Sequence, residues 1–304
     1  VALVEQCVPR KQSPGTTLLA AEVYSIDSPR HGVLCMNKPR MIVGIKWVPN
    51  TQAVRFDPKT GTLIREGVPS IVNPHDLDAV ELALKIRERY GGEIIAITMA
   101  PPPAEEGLRH IIGMGVDRAI LVSDRAFAGS DTLATSYTLA KAIEKIGKFD
   151  IVLFGQETID SSTAHIPAQV ASWLDLPYIY YVESIEEVEL EKNKIVVKRK
   201  LEDRYEWYEV ELPVIIGVAM HSNPPRPISL TSKLRAVTEK PIEVWTNKQL
   251  ELDPRCIGLK GSPTIVSKVT WQPEIPRKRK IYKGDPREAV KWLIKQLEDE
   301  RVLP

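Results

Sequence analysis

The sequence predicts an α/β fold: a parallel sheet with helices on both faces, antiparallel additions, and an extended C-terminal arm ending in a helix. Three observations carry this. Short β-branched runs at Met41–Val48, Ile94–Met99, Ala119–Val122 and Ile151–Phe154 read as buried strands. Helical patterns lie between them, and strands alternating with helices imply parallel pairing through right-handed crossovers. From Tyr178 to Val210 the pattern becomes β-rich segments split by charged turns, which read as antiparallel. The layering is Rossmann-like, so a ligand is expected at the carboxyl ends of the strands.

The elements follow in order. Residues 1–40 hold Pro, Ser, Thr and two cysteines without sustained periodicity, and read as a leader or flexible extension. Met36 or Met41 is a more natural start than Val1. Ala53–Glu66 alternates around Asp57-Pro58-Lys59-Thr60-Gly61 and reads as a hairpin or loose loop. Asn73-Pro74-His75-Asp76 opens a helix, with Asn as N-cap and Pro at the first helical position. Gly91-Gly92 ends it. Pro101-Pro102-Pro103 ends the next strand, and a helix with Leu108, Ile111 and Ile112 follows. Ser130 or Asp131 caps a helix carrying Leu133, Tyr137, Ala140 and Ile143. Another, with Ile166, Val170 and Trp173, follows Ser161-Ser162-Thr163. Val214–Ala219 is one more core strand. After His221 the chain is Pro-rich and irregular to about Lys283, and an amphipathic helix, Pro286–Glu300, presents Ala289, Leu293 and Leu297. This gives three regions: an extension at 1–40, an α/β domain at 41–220, and a C-terminal region with an arm at 221–304.

Bulk properties exclude several classes. The 304 residues suit one large domain or two small ones, and 43% hydrophobic content supports a real core. A net charge of +1 gives no general drive toward nucleic acid or acidic lipid. Cys7, Cys35 and Cys256 form no CxxC pair, so neither a zinc site nor a disulfide framework is expected, and a cytoplasmic setting is. No apolar run approaches the roughly 18 residues of a membrane span.

The chemistry-bearing stretch is Val122–Ala171. Two clusters of small hydroxyl residues, Ser130–Ser136 and Ser161–Thr163, each follow a strand and open a helix. Amides and hydroxyls gathered at helix starts make an anion site without a cation. Two such sites side by side suit a pyrophosphate or a phosphorylated adenosine. No GxGxxG and no GxxxxGK[ST] loop is present. His75, His110, His165 and His221 are dispersed, and no group has metal-ligand spacing. With no evident catalytic acid, base or nucleophile, the hard chemistry would belong to a cofactor.

Four blocks resemble the beta subunit of electron transfer flavoprotein: Ile42–Thr51, Ile71–Asp76, Ser123–Ser136 and Gly155–Ala164. A fifth, Asn223-Pro224-Pro225-Arg226 with Leu230 four residues on, resembles that subunit's docking loop for acceptor dehydrogenases. The match spans about Met41 to Val269. It implies a heterodimer with an alpha subunit that carries the mobile flavin. It also implies a beta-site nucleotide, structural AMP in simple members and FAD reduced by NADH in bifurcating ones. The Ser123–Ser136 block is the form of bifurcating and nitrogen-fixation-type members and tilts the expectation to FAD with NADH as donor. Acceptors would be a dehydrogenase or quinone oxidoreductase on one side and ferredoxin or flavodoxin on the other.

The resemblance and the helix-start physics together nominate the site residues. Asp131, Thr132 and Thr135 open a helix toward the phosphates. Thr163, Ala164, His165 and Ile166 line the pyrophosphate or flavin edge. Asn73 and Met99 bracket the adenine over a floor at Ile45. Arg226 and Leu230 dock the partner, and Arg125 either pairs with Asp124 or serves a flavin or NADH phosphate as a forked donor. The chain departs from bifurcating members at Ser161, Ser162, His165 and Pro167, where they carry Gly, Asp, Gln and Gly. Ala100, where many relatives have Gly, is expected to crowd a ligand beside Met99. An adenylate-forming or nucleotide-sensing α/β protein is the alternative of another class. Lys46–Asn50 stands where its phosphate loop would lie.

Overall fold

A computed structural model of the chain describes residues 38–50, 55–56, 63–64, 69–238, 242–265 and 279–303. The expected extension at 1–40 lies almost wholly outside them. The chain divides into two compact units, Val1–Ile265 and Val266–Pro304.

In the first unit β1 (Arg40–Gly44), β2 (Trp47–Pro49), β3 (Arg55–Phe56), β4 (Leu63–Ile64) and β5 (Ser70–Val72) precede α1 (Pro74–Tyr90). Then β6 (Glu93–Met99), α2 (Glu105–Met114), β7 (Arg118–Val122), α3 (Thr132–Ile146), β8 (Ile151–Gly155) and α4 (Ile166–Leu174) alternate. After them come β9 (Tyr178–Glu189), β10 (Lys194–Lys200), β11 (Tyr205–Glu211) and β12 (Val214–Val218). The unit closes with α5 (Leu230–Thr238), β13 (Ile242–Trp245) and the short α6 (Asn247–Leu250).

Nine strands form one sheet in the order β11-β10-β9-β12-β8-β1-β6-β7-β13. Every neighbouring pair from β9 to β13 is parallel. Only β10 and β11 are antiparallel additions. Alternate residues serve opposite faces. Met41, Val43, Ala96 and Leu153 pack with α1 and α2, while Ile42, Ile95, Val152 and Phe154 pack with α3 and α4. Both faces are covered, which is why the strands read as continuous apolar runs rather than alternating ones.

The structure differs from the sequence reading at several points. The expected strand Met41–Val48 breaks at Ile45-Lys46, because the Lys46 amide donates to the Asp76 carboxylate at 2.7 Å instead of continuing the ladder. Trp47–Pro49 then pairs antiparallel with β5. The expected hairpin is present as the antiparallel β3–β4 pair, and its turn lies outside the described residues. The stretch after His221 is not irregular throughout. It holds α5, α6 and β13, which joins the sheet beside β7. Cys256 is disulfide-bonded, against the expectation.

In the second unit, Asp285 caps α7 (Pro286–Asp299) through the Arg287 and Glu288 amides. Val290, Leu293 and Ile294 of that helix are exposed. No helix among the described residues is long and apolar enough to cross a membrane.

Candidate functional site

From β1 the chain runs outward through β6 and β7, then crosses to β8 on the other side of β1. Sheets of this kind hold ligands at such a reversal, above the carboxyl ends of the strands. Three segments meet there: the Ile45-Lys46 turn, the start of α1, and the chain leaving β8.

Gly155 ends β8 against the first turn of α1. A Cβ on it would lie 2.5 Å from Asp76 Oδ1 and 2.6 Å from the His75 carbonyl carbon and oxygen. Only glycine permits this approach. Asp76 is buried, and burial pushes its carboxyl up to about 7 although the Lys46 amide, Asn73 and the Gly155 amide all favour the charged form.

Asn73 is fully buried at the N-cap position of α1, but its side chain does not cap the helix. Its Nδ2 donates to the Glu157 carbonyl at 2.9 Å, and its Oδ1 accepts from the Ile159 amide at 3.2 Å. The residue expected beside adenine is thus committed to the loop after β8. The Lys46 ammonium holds the same loop, with both Asp160 oxygens at 2.8 Å. Although burial opposes it, Lys46, Thr158 and Ser161 keep the Asp160 carboxyl below its ordinary value.

Past Asp160 the backbone is left-handed at Ser162 (φ 46°) and Ala164 (φ 54°), neither a glycine. Such residues persist only where the surroundings enforce them. Ala164 is followed by His165 in the right-handed region, and α4 then starts with no side-chain cap. Successive left- and right-handed residues turn their amides inward to one concavity, and an uncapped helix start adds to it. Thr163 and His165 are exposed there, and Ala164 and Ile166 are half-buried. Pro167, in the first turn, removes an amide that has no helical partner in any case.

The start of α3 is built differently. Asp131 caps it, with Oδ1 accepting from the Leu133 and Ala134 amides at 3.0 and 3.1 Å. Its other oxygen accepts from Thr264 Oγ1 at 2.7 Å. The two hydroxyl clusters are therefore not equivalent: one helix start is closed by its own carboxylate, the other is open. The two helices pack side by side, with Tyr137 edge-on to Trp173 and the Trp173 indole donating to Ser136 Oγ. Gln169 of α4 reaches Thr132 at 3.5 Å, and its Oε1 is buried without a partner among the described residues. Thr135 lies one turn further along α3 and is half-buried.

Ile45 belongs to the core on the α1 side, and Met99 packs against the core on the α3 side. Ala100 is half-buried and packs with the α1 cluster. The expected Arg125–Asp124 pair is not made. Asp124 accepts instead from the Ala126 and Asn247 amides, which hold its carboxyl below the usual range. His75 and His221, dispersed in sequence, meet edge-on at 5.7 Å. Burial, and then His221, lower the His75 pKa. No cluster among the described residues could hold a metal ion.

The segment after β12 is bound to α1. Asp78 accepts from the His221 and Asn223 amides at 3.1 and 2.8 Å. Arg226 donates to Glu81 at 2.9 Å and to Glu88 at 2.5 Å, so its guanidinium braces the segment from within. Leu230 is 84% exposed, and Leu234 and Val237 lie exposed at helical spacing behind it. Sequence reasoning missed Lys46, Asp76 and Gln169 as site residues. Gly155 at a strand end was the local signal for Asp76; nothing local marked the other two.

The family model described as the electron transfer flavoprotein domain matches residues 60–250. The chain is 45% identical over 263 residues to an electron transfer flavoprotein subunit beta from Thermoanaerobacterium thermosaccharolyticum, covering 86% of this chain and 99% of that protein. It is 47% identical over 228 residues to the caffeyl-CoA reductase-Etf complex subunit CarD of Acetobacterium woodii, covering 75% and 86%. It is 42% identical over 251 residues to protein FixA of Sinorhizobium fredii, covering 81% and 87%.

Proposed function

The chain belongs to the electron transfer flavoprotein family, among its beta subunits, and on that premise we propose that it binds an adenine nucleotide above β1 and β8. The observation that carries this is the start of α4: an uncapped helix reached through left-handed Ser162 and Ala164. Amides concentrated there suit phosphate oxygens. The orphaned Gln169 Oε1 suits a ligand that also donates hydrogen bonds. A nucleotide offers both.

In this reading the α4 amides hold phosphate, and the Thr132 and Thr135 hydroxyls flank it from α3. Asp131 shapes α3 and does not face the anion. Asn73 keeps the loop in place. The nucleotide is FAD, with AMP as the alternative; the Ser123–Ser136 block supports FAD. When bound, FAD would accept hydride from NADH and pass single electrons to a high-potential acceptor through the alpha subunit and to ferredoxin or flavodoxin, whereas AMP would be structural. The beta subunit pairs with an alpha subunit. The exposed Leu230, Leu234 and Val237 form the docking face for an acceptor dehydrogenase, an apolar anchor being a common interface hot spot.

The test is to denature the chain co-purified with its alpha subunit and count released nucleotides by chromatography. Two FAD and no AMP per heterodimer are expected. One FAD with one AMP would retire bifurcation and keep the site. FAD at one per heterodimer with no AMP would remove the nucleotide from this subunit.

A further inference from the structure

Resting on the nucleotide reading above, we propose that Lys46 is the positioning residue of the phosphate-facing loop. It pins and neutralises Asp160 and does not itself ligate phosphate.

Lys46 uses every polar group it has on two segments, the start of α1 and the loop after β8. Its amide donates to Asp76 Oδ2 at 2.7 Å, and its carbonyl accepts from the Asn73 amide at 2.9 Å. Both bonds fix it to the start of α1. Its ammonium meets both Asp160 oxygens at 2.8 Å, Ser161 Oγ at 3.3 Å and Thr158 Oγ1 at 3.4 Å. An ammonium has three protons, and four oxygens already share them. No donor is left for a phosphate. A lysine beside an anion site ordinarily suggests direct ligation, and here the geometry assigns it elsewhere.

Asp160 needs this partner. Its carboxylate accepts from Thr158 Oγ1 at 2.6 Å and Ser161 Oγ at 3.1 Å, and so closes a small turn before Ser162 and Ala164. Without Lys46 that turn would carry an uncompensated negative charge two to four residues from the left-handed positions. A phosphate approaching the α4 start would meet a repelling carboxylate. With Lys46 in place the charges cancel, and the amides dominate. The pair is partly exposed, at 43% and 25% of the two side chains, so its effect is moderate rather than all-or-none.

The experiment is a double-mutant cycle on the 304-residue chain, titrated with AMP and with FAD by calorimetry. The variants are Lys46→Met, Lys46→Arg, Asp160→Asn and the Lys46→Met/Asp160→Asn double variant. Lys46→Met is expected to weaken binding about tenfold, the scale of one charge-assisted hydrogen bond. Lys46→Arg should retain most of the affinity. In the Asp160→Asn background, Lys46→Met should cost less than about twofold, because the charge it cancels is gone. Hydrogen exchange of residues 158–166 without nucleotide should rise in Lys46→Met, a change that loss of a phosphate ligand alone would not produce. An equal loss in both backgrounds, with unchanged exchange, would make Lys46 a direct ligand and overturn the proposal. If the wild-type chain binds while Lys46→Met binds equally well, the proposal alone fails. If the wild-type chain binds neither nucleotide, the nucleotide reading fails and takes this one with it.

Discussion

Replacing Gly155 by alanine tests whether the strand-to-helix approach at the reversal point is as tight as described. The added methyl would stand 2.5 Å from Asp76 Oδ1 and 2.6 Å from the His75 carbonyl. Ordinary contact begins near 3.4 Å, so the first turn of α1 must move by close to 1 Å. Two of the three obstructing atoms are backbone, so no side-chain rotation relieves them. Overpacking of this kind costs about 1–3 kcal/mol. The shift also stretches the Gly155 amide's bond to the Asp76 carboxylate, a charge-assisted contact of about 1.5–3 kcal/mol. A total near 3 kcal/mol lowers Tm by roughly 6–12 °C in a chain of this size class. Circular dichroism melts would read it, with Gly147→Ala as a control. Gly147 has a positive φ, which Gly155 does not, but open space around its missing Cβ, so alanine there should cost only the backbone strain of about 1 kcal/mol. Equal, small shifts in the two variants would refute the steric argument.

Two further outcomes follow from particular groups. Asp76 is protonated more readily in the folded chain than in the unfolded one, since burial lifts its carboxyl from 3.8 to about 7. The stability it contributes is therefore full below pH 4 and is lost as pH rises through 7, by about 4 kcal/mol at roughly 1.4 kcal/mol per pH unit. Melts from pH 4 to 8 should fall less steeply for Asp76→Asn, and parallel curves would contradict this. Leu230→Ser should leave Tm within about 1 °C, as exposed substitutions do, yet slow electron delivery to an acceptor dehydrogenase about thirtyfold. An unchanged rate in a stopped-flow assay would place docking elsewhere.

The parallel core was legible because its strands are buried on both faces and so read as unbroken β-branched runs. The break at Lys46 was not legible, since Ile45, Trp47 and Val48 continue the apolar run on either side of it and only the distant Asp76 carboxylate diverts the chain. β13 escaped notice because Ile242–Trp245 is four residues long and half-exposed within a Pro-rich stretch. Of the site, the Ser161–Thr163 helix start could be read locally. Its difference from the Ser130–Ser136 start could not, because both offer capping side chains and only the fold shows that Asp131 is used and that α4 is left open. The Lys46–Asp160 pair spans 114 positions, beyond any local pattern.

The placing of β13 also bears on how the chain is made. β7 and β13 are neighbours in the sheet, yet roughly 120 residues are synthesised between Val122 and Ile242. Until β13 emerges from the ribosome, the backbone groups along Ala119–Val122 present an open, apolar strand edge. Unpaired edges of this kind recruit other strands, and synthesis proceeds at only about 5–20 residues per second. The nascent chain therefore carries a sticky margin for several seconds. A chaperone that shields β7 during that interval should raise the yield of soluble protein more than one that acts after release.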